Sequence, residues 1–236
     1  MFKRWFTKLK PPCQEKRRIA TTIQPEWSRA LTDYLQTPQP LLGEELDQQQ
    51  FVALDFETTR LDPSHDQILS IGLVHFTTSE IDLASSAECY LSHGQFVKHE
   101  SAQVNEITAN QLKDGLPAIE ALNWLLEQIK GKVVIAHCAT IERDFLHALL
   151  DHAFGLNALP CHFIDTIELE KRHSYAGRTR SHASYQLNDL RQHYHLPDYN
   201  AHSAASDALA CAELFMVQLS KFKLKTNTKL AEVTLT

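Results

Sequence analysis

The sequence predicts an α/β fold built on one mixed sheet, and three features carry that prediction. Compact apolar runs of strand length open the ordered part of the chain. Helical spacing of apolar residues follows, and helix and strand then alternate to the end. The first strand is 51-FVALDFE-57, an apolar run carrying two acids. The second is 67-QILSIGLVHF-76, rich in Ile, Leu and Val. The polar 60-RLDPSHD-66 between them has the composition of a hairpin loop. A weaker third strand is read at 86-SAECYLSH-93. Helical spacing appears in 117-PAIEALNWLLEQIKG-131, opened by proline and closed by glycine. Next come a buried strand at 132–137, a helix at 141–154, and a short strand at 162–166 that leads into a helix at 166–173. Helices at 184–194 and 204–222 complete the pattern. A short helix at 26–36 precedes the sheet, with Trp27, Ala30, Leu31 and Tyr34 on one face.

The chain has 236 residues, of which 43% are hydrophobic and 22% charged, so a folded core is within reach and wholesale disorder is excluded. No apolar run approaches the roughly 18 residues that span a bilayer, so no membrane partner is expected. The segment 1–12 interleaves charges with aromatics and has no apolar stretch of the secretory type. The cysteines (Cys13, Cys89, Cys138, Cys161, Cys211) are scattered without a C-x-x-C pair, which fits a reducing cytoplasm better than a disulfide framework or a zinc site. The net charge of −6 hides an asymmetry: Lys3, Arg4, Lys8, Lys10, Lys16, Arg17 and Arg18 face Glu15 alone in residues 1–20. A basic arm therefore precedes an acidic body. That body argues against electrostatic coating of DNA and suits one that gathers carboxylates around metal ions. The expected organisation is a proline-interrupted extension over 1–50, a domain over 51–220 and a short tail over 221–236. The most basic stretch of the body is 172-RHSYAGRTRSHAS-184, read as a loop holding Arg172, Arg178 and Arg180.

Three places carry candidate chemistry. Asp55 and Glu57 are two apart on a strand, so their side chains leave the same face. Two carboxylates so placed repel each other and resist desolvation, and a divalent cation relieves both effects. In 202-HSAASDALACAELF-215, Asp207 falls near the start of a strongly patterned helix, with His202 just before it. A loop histidine near metal-binding carboxylates suits a general base acting near neutral pH. In 137-HCATIERDFL-146, Glu142 and Asp144 lie about 200° apart around a helix and cannot both face one site. Ile141, Phe145 and Leu149 mark the core face, and the register leans towards Glu142 as the inward acid.

D-x-E-T-T at 55–59, A-H-x-A-x-x-E-x-x-F-L at 136–146 and H-x-A-x-x-D-A at 202–208, in that order, resemble the motifs of the DEDDh 3′–5′ exonucleases. That family has a ribonuclease H-like fold, a mixed β-sheet flanked by helices. It includes the proofreading subunit of the bacterial replicative polymerase, ribonuclease T and oligoribonuclease. The resemblance runs from about Phe51 to Leu219; Asp165-Thr166 and 187-LNDL-190 match further family features. It implies hydrolysis of phosphodiesters with two divalent ions, Mg²⁺ or Mn²⁺. Asp55 would bridge both ions, Glu57 and Asp207 would hold the ion beside the attacking water, and Glu142 would hold the other. His202 would deprotonate the nucleophile. Thr58, Thr59, Arg60 and His137 would lie along the nucleic acid, with Arg178 and Arg180 on its backbone. Three positions depart from the family pattern: Glu142 stands where aspartate is usual, Arg60 where glycine is usual, and Cys138 where asparagine is usual.

The function this implies is a metal-dependent 3′–5′ exonuclease acting on single-stranded 3′ ends, DNA favoured, that releases nucleoside monophosphates. The alternatives are an RNA-trimming enzyme of the ribonuclease T or oligoribonuclease kind, and a catalytically weak nucleic-acid-binding or polymerase accessory protein. Expected partners are single-stranded 3′ ends and replication or repair proteins. The segment 218-QLSKF-222 faintly resembles a sliding-clamp pentapeptide, with Lys221 in place of an apolar anchor.

Overall fold

The computed structural model describes residues 23–92, 107–179, 182, 184–199, 203–224 and 227–235; His202 and Arg180, two of the candidate site residues, lie outside them. Five strands form one sheet: β1 Phe51–Thr58, β2 Ile68–Phe76, β3 Ile81–Tyr90, β4 Val133–Ala136 and β5 Phe163–Asp165. Their order is β3-β2-β1-β4-β5. β1 pairs antiparallel with β2, which pairs antiparallel with β3. β4 runs parallel to both β1 and β5, which makes the sheet mixed. Described helices are α1 Arg29–Gln36, α2 Ala109–Lys113, α3 Ala118–Ile129, α4 Thr140–Phe154, α5 Thr166–His173, α6 Tyr175–Thr179, α7 Leu187–His193 and α8 Ala204–Lys221.

Strand alternation divides the core in two. Val52, Leu54 and Phe56 of β1 face one way and pack with α1, α3 and α4 through Leu31, Leu122, Leu126, Phe145 and Leu146. Phe51 and Ala53 face the other way, towards Ala208, Cys211, Ala212 and Phe215 of α8. Asp55 and Glu57 continue that second series, so both are directed to the face that α8 covers. The pairing of β1 with β4 ends at Ala53↔Ile135, so the two acids lie beyond the last paired residues of that ladder.

The structure departs from the sequence reading at β3 and at the basic stretch, and it closes the clamp resemblance at 218–222. β3 begins at Ile81, because the Phe76↔Ile81 and His75↔Asp82 pairs zip the hairpin from its turn. Asp82, Leu83 and Ala84 are exposed on this edge strand, which erases the apolar alternation that would have marked it. The basic stretch read as a loop contains α6. Gly177 lets that helix lie against α5, since a Cβ there would fall 2.2 Å from the Glu170 carbonyl oxygen. Gln218 and Leu219 are fully buried in α8, with Gln218 Nε2 donating to Thr166 O at 2.9 Å and Glu170 Oε2 at 3.0 Å, so these positions are closed to a clamp partner.

Both flanks of the sheet domain pack on its core. Leu31, Tyr34 and Leu46 are buried, as are Leu230 and Val233. The two flanks also pair with each other: Leu46 N–H donates to Thr228 O, and Leu230 N–H to Glu44 O. Among the described residues no helix is long and apolar enough to cross a membrane.

Candidate active site

The site forms beyond the paired ends of the parallel strands, where open α/β sheets place their ligands. Asp55 and Glu57 come from β1 and Asp207 from the first turn of α8; each can present a carboxylate oxygen within 4.8 Å of those of the other two. Two sequence features let α8 approach so closely. Its sheet-facing side is lined by Ala204, Ala208 and Ala212. Opposite Asp55 on β2 lies Gly72, where a Cβ would sit 1.9 Å from the Ala204 carbonyl carbon. Only glycine gives the first turn of α8 this seat, and that turn carries Asp207.

Burial pushes the Asp55 carboxyl well above its usual range, and the charges of Asp207, Glu57 and Glu88 push it further. Glu57 is driven up to about 7 by burial, then by Asp207 and Glu88. Glu142 enters from α4. It is 3% exposed, and its Oε2 is buried without a hydrogen-bond partner. Its pKa is also well raised, by burial first, then by Asp55 and Asp165. Asp144, by contrast, has a side chain 50% exposed and bonded to Arg143 Nε at 3.0 Å. Asp55 is thus the carboxylate common to two groups, one with Glu57 and Asp207 and one with Glu142. Buried acids that repel one another, one of them with an orphan oxygen, suit oxygen-seeking divalent cations.

Asp165 braces this arrangement. Its carboxylate accepts from Ile167 N at 2.8 Å, which caps α5, and from Cys138 N at 3.2 Å and Ala139 N at 3.0 Å. The turn from β4 into α4 is therefore fastened to the end of β5, which fixes the helix that carries Glu142. Cys138 takes a left-handed conformation in that turn, with φ 70. Asparagine tolerates this region better than most side chains.

The remaining candidates are spread around the cleft. Burial lowers the pKa of His137. With the ring neutral, Nε2–H donates to Tyr185 O at 2.8 Å and Nδ1 accepts from Thr166 Oγ1 at 2.7 Å. Both nitrogens are engaged, so His137 fastens the segment ahead of α7 to the site. Thr58 Oγ1 donates to Arg60 O at 2.6 Å, and Thr59 Oγ1 to Asp66 Oδ1 at 3.0 Å, which closes the loop after β1. Arg60 is exposed there, and Arg178 is exposed on α6. Glu88 was missed in the sequence, because an acid on a polar edge strand carries no local signal. Gly72 had one, a glycine interrupting an apolar strand.

Comparison with known proteins agrees with this geometry. The Exonuclease family model (RNase_T) matches residues 52–215. A PolC-type DNA polymerase III of Thermotoga petrophila is 28% identical over 184 residues, which span 78% of this chain and 13% of that protein. A DNA polymerase III subunit epsilon of Treponema pallidum is 29% identical over 170 residues, covering 72% of this chain and 76% of that one. The nuclease domain of 3′hExo, a DEDDh family member bound to rAMP, superposes with a TM-score of 0.63 at 15% identity, covering 79% of this chain and 100% of that chain. Exonuclease X in complex with 5′ overhanging duplex DNA gives 0.55 at 17% identity, covering 75% and 98%. With the family model covering residues 52–215, the chain belongs to the exonuclease family.

Proposed function

We propose that the protein shortens single-stranded nucleic acid from its 3′ end, DNA in preference to RNA, and releases nucleoside monophosphates. The observation that carries this reading is the position of Asp55, shared between Glu57 and Asp207 and the inward-facing Glu142. In this reading Asp55, Glu57, Asp207 and Glu142 would hold two divalent cations, Mg²⁺ or Mn²⁺, with Asp55 common to both. Bound there, such a pair stabilises the attacking and leaving oxygens of an in-line displacement at phosphorus. His202, next to Ser203 in sequence, takes the proton from the attacking water at its imidazole. Thr58, Thr59 and Arg60 border the terminal nucleotide, while Arg178 and Arg180 meet phosphates further along the strand. His137 contributes through the segment it holds. The names of the PolC-type and epsilon relatives support DNA as substrate and a replication or repair protein as partner.

The test is the full chain with Mg²⁺ or Mn²⁺ on end-labelled single-stranded DNA, duplex DNA, RNA and a dinucleotide. The expected result is stepwise release of mononucleotides from 3′ ends, fastest on single-stranded DNA. Faster turnover of RNA would move the enzyme to the RNA-trimming class, and no turnover of any substrate would return it to a binding role.

A further inference from the structure

Glu88 belongs to none of the three motifs, yet it stands beside the carboxylate cluster, close enough to raise the pKa values of Asp55 and Glu57. Asp55 pairs with Gly72 across β1 and β2, and Gly72 pairs with Glu88 across β2 and β3. Residues directly opposite in neighbouring strands share a face, so Glu88 projects to the side that α8 covers, as Asp55 does. There its Oε2 accepts from Ser203 Oγ at 2.9 Å. Ser203 is the N-cap of α8, and Asp207 N–H donates to Ser203 O at 2.9 Å, which puts Asp207 in the turn that Ser203 begins. Beneath that turn Gly72 provides space and no side chain to grip. Asp207 must nevertheless be kept next to Asp55 and Glu57, which repel it.

We propose that Glu88 is a positioning residue: through Ser203 it ties the first turn of α8 to the sheet and so sets the Asp207 carboxylate for metal binding. The proposal rests on the metal site described under Proposed function. A role through charge alone makes different demands, because Glu88→Gln keeps an acceptor oxygen while removing the charge, and Ser203→Ala keeps the charge while removing the tie, together with the cap that Ser203 Oγ gives Ser206 N.

The experiment is Mn²⁺ titration by calorimetry on the full chain, with kcat and KM measured on a single-stranded oligonucleotide. Glu88→Ala should weaken Mn²⁺ binding about tenfold, the scale of one hydrogen bond to a charged group. It should lower kcat roughly 10- to 100-fold, as misplacement of a reacting group does, with KM little changed. Glu88→Gln should recover most of both losses. Ser203→Ala should reproduce them, and the Glu88→Ala/Ser203→Ala pair should be no worse than either alone. In an Asp207→Ala background, Glu88→Ala should cause no further loss of Mn²⁺ affinity. Wild-type behaviour of Glu88→Ala, or a Gln variant as impaired as the Ala variant beside a harmless Ser203→Ala, overturns the positioning role. If Glu88→Ala fails to fold, the Gln and Ser203 variants decide alone. Undiminished Mn²⁺ binding by Asp207→Ala would instead overturn the metal-site reading, which is a separable outcome.

Discussion

Glu142 and Asp144 lie two residues apart and have opposite surroundings: one is buried with an orphan oxygen, the other half exposed against Arg143. Helix geometry makes the choice, since Phe145 and Leu146 hold one side of α4 on the core and only Glu142 flanks that side within reach of the cleft. Glu142→Ala is therefore expected to abolish turnover while Asp144→Ala stays near the wild-type rate. Glu142→Asp should remain active with a shifted Mg²⁺ to Mn²⁺ preference, which parallel assays in the two metals would read. A dead Asp144→Ala beside an active Glu142→Ala would reverse the assignment.

Glu57 gives a second expectation, for the metal-free protein. Its folded pKa, about 7, lies above that of the unfolded chain, so the folded state holds a proton that the unfolded state releases. Its contribution to stability is complete below the ordinary glutamate range and is lost as pH rises to about 7. Asp55 and Glu142 shift in the same direction. In EDTA the melting temperature should fall across that window, and saturating Mg²⁺ should reverse the fall. A flat profile in EDTA would contradict mutual repulsion in the cluster. Cys138 gives a third: at φ 70 it carries left-handed strain, so Cys138→Asn should stabilise the fold by about 1 kcal/mol in urea unfolding.

At the scale of elements, the site depends on how α8 meets β1 and β2. Strand alternation aims Asp55 and Glu57 at α8, alanines keep the helix close, and Gly72 gives its first turn a place on the sheet. Gly72→Ala brings a methyl against the backbone of Ala204, which cannot swing aside as a side-chain tip could. A loss of about 1–3 kcal/mol is expected from overpacking of this kind. Mn²⁺ affinity should fall with it, because the turn that moves is the one that bears Asp207. Denaturant unfolding and calorimetry on one preparation would check both. Intact metal binding in a destabilised Gly72→Ala would show that Asp207 is placed by some other contact.

For the molecule as a whole, charge sets the problem of approach. The chain is net −6 and its cleft gathers carboxylates, so a polyanionic substrate needs cations away from the metals. Arg178 is exposed on α6, which α5 supports closely through Gly177. The Arg178→Ala/Arg180→Ala pair should raise KM and flatten its dependence on salt, with kcat largely kept. Steady-state kinetics over a salt series would check this, and an unchanged slope would remove α6 from the substrate path.

The sequence by itself determined the run of the five strands and the longer helices and the shared face of Asp55 and Glu57, and it leaned towards Glu142 as the inward acid. Each follows from a period of two or of about 3.6, which a short run of residues displays. Tertiary structure alone decided that Glu88 reaches Ser203, that Asp165 fastens the turn at Cys138 and Ala139, and that both nitrogens of His137 are engaged. These contacts join residues between 26 and 115 positions apart in the chain. No local pattern records them, because a hydrogen bond between distant segments exists only once sheet and helices have packed and brought its two ends together.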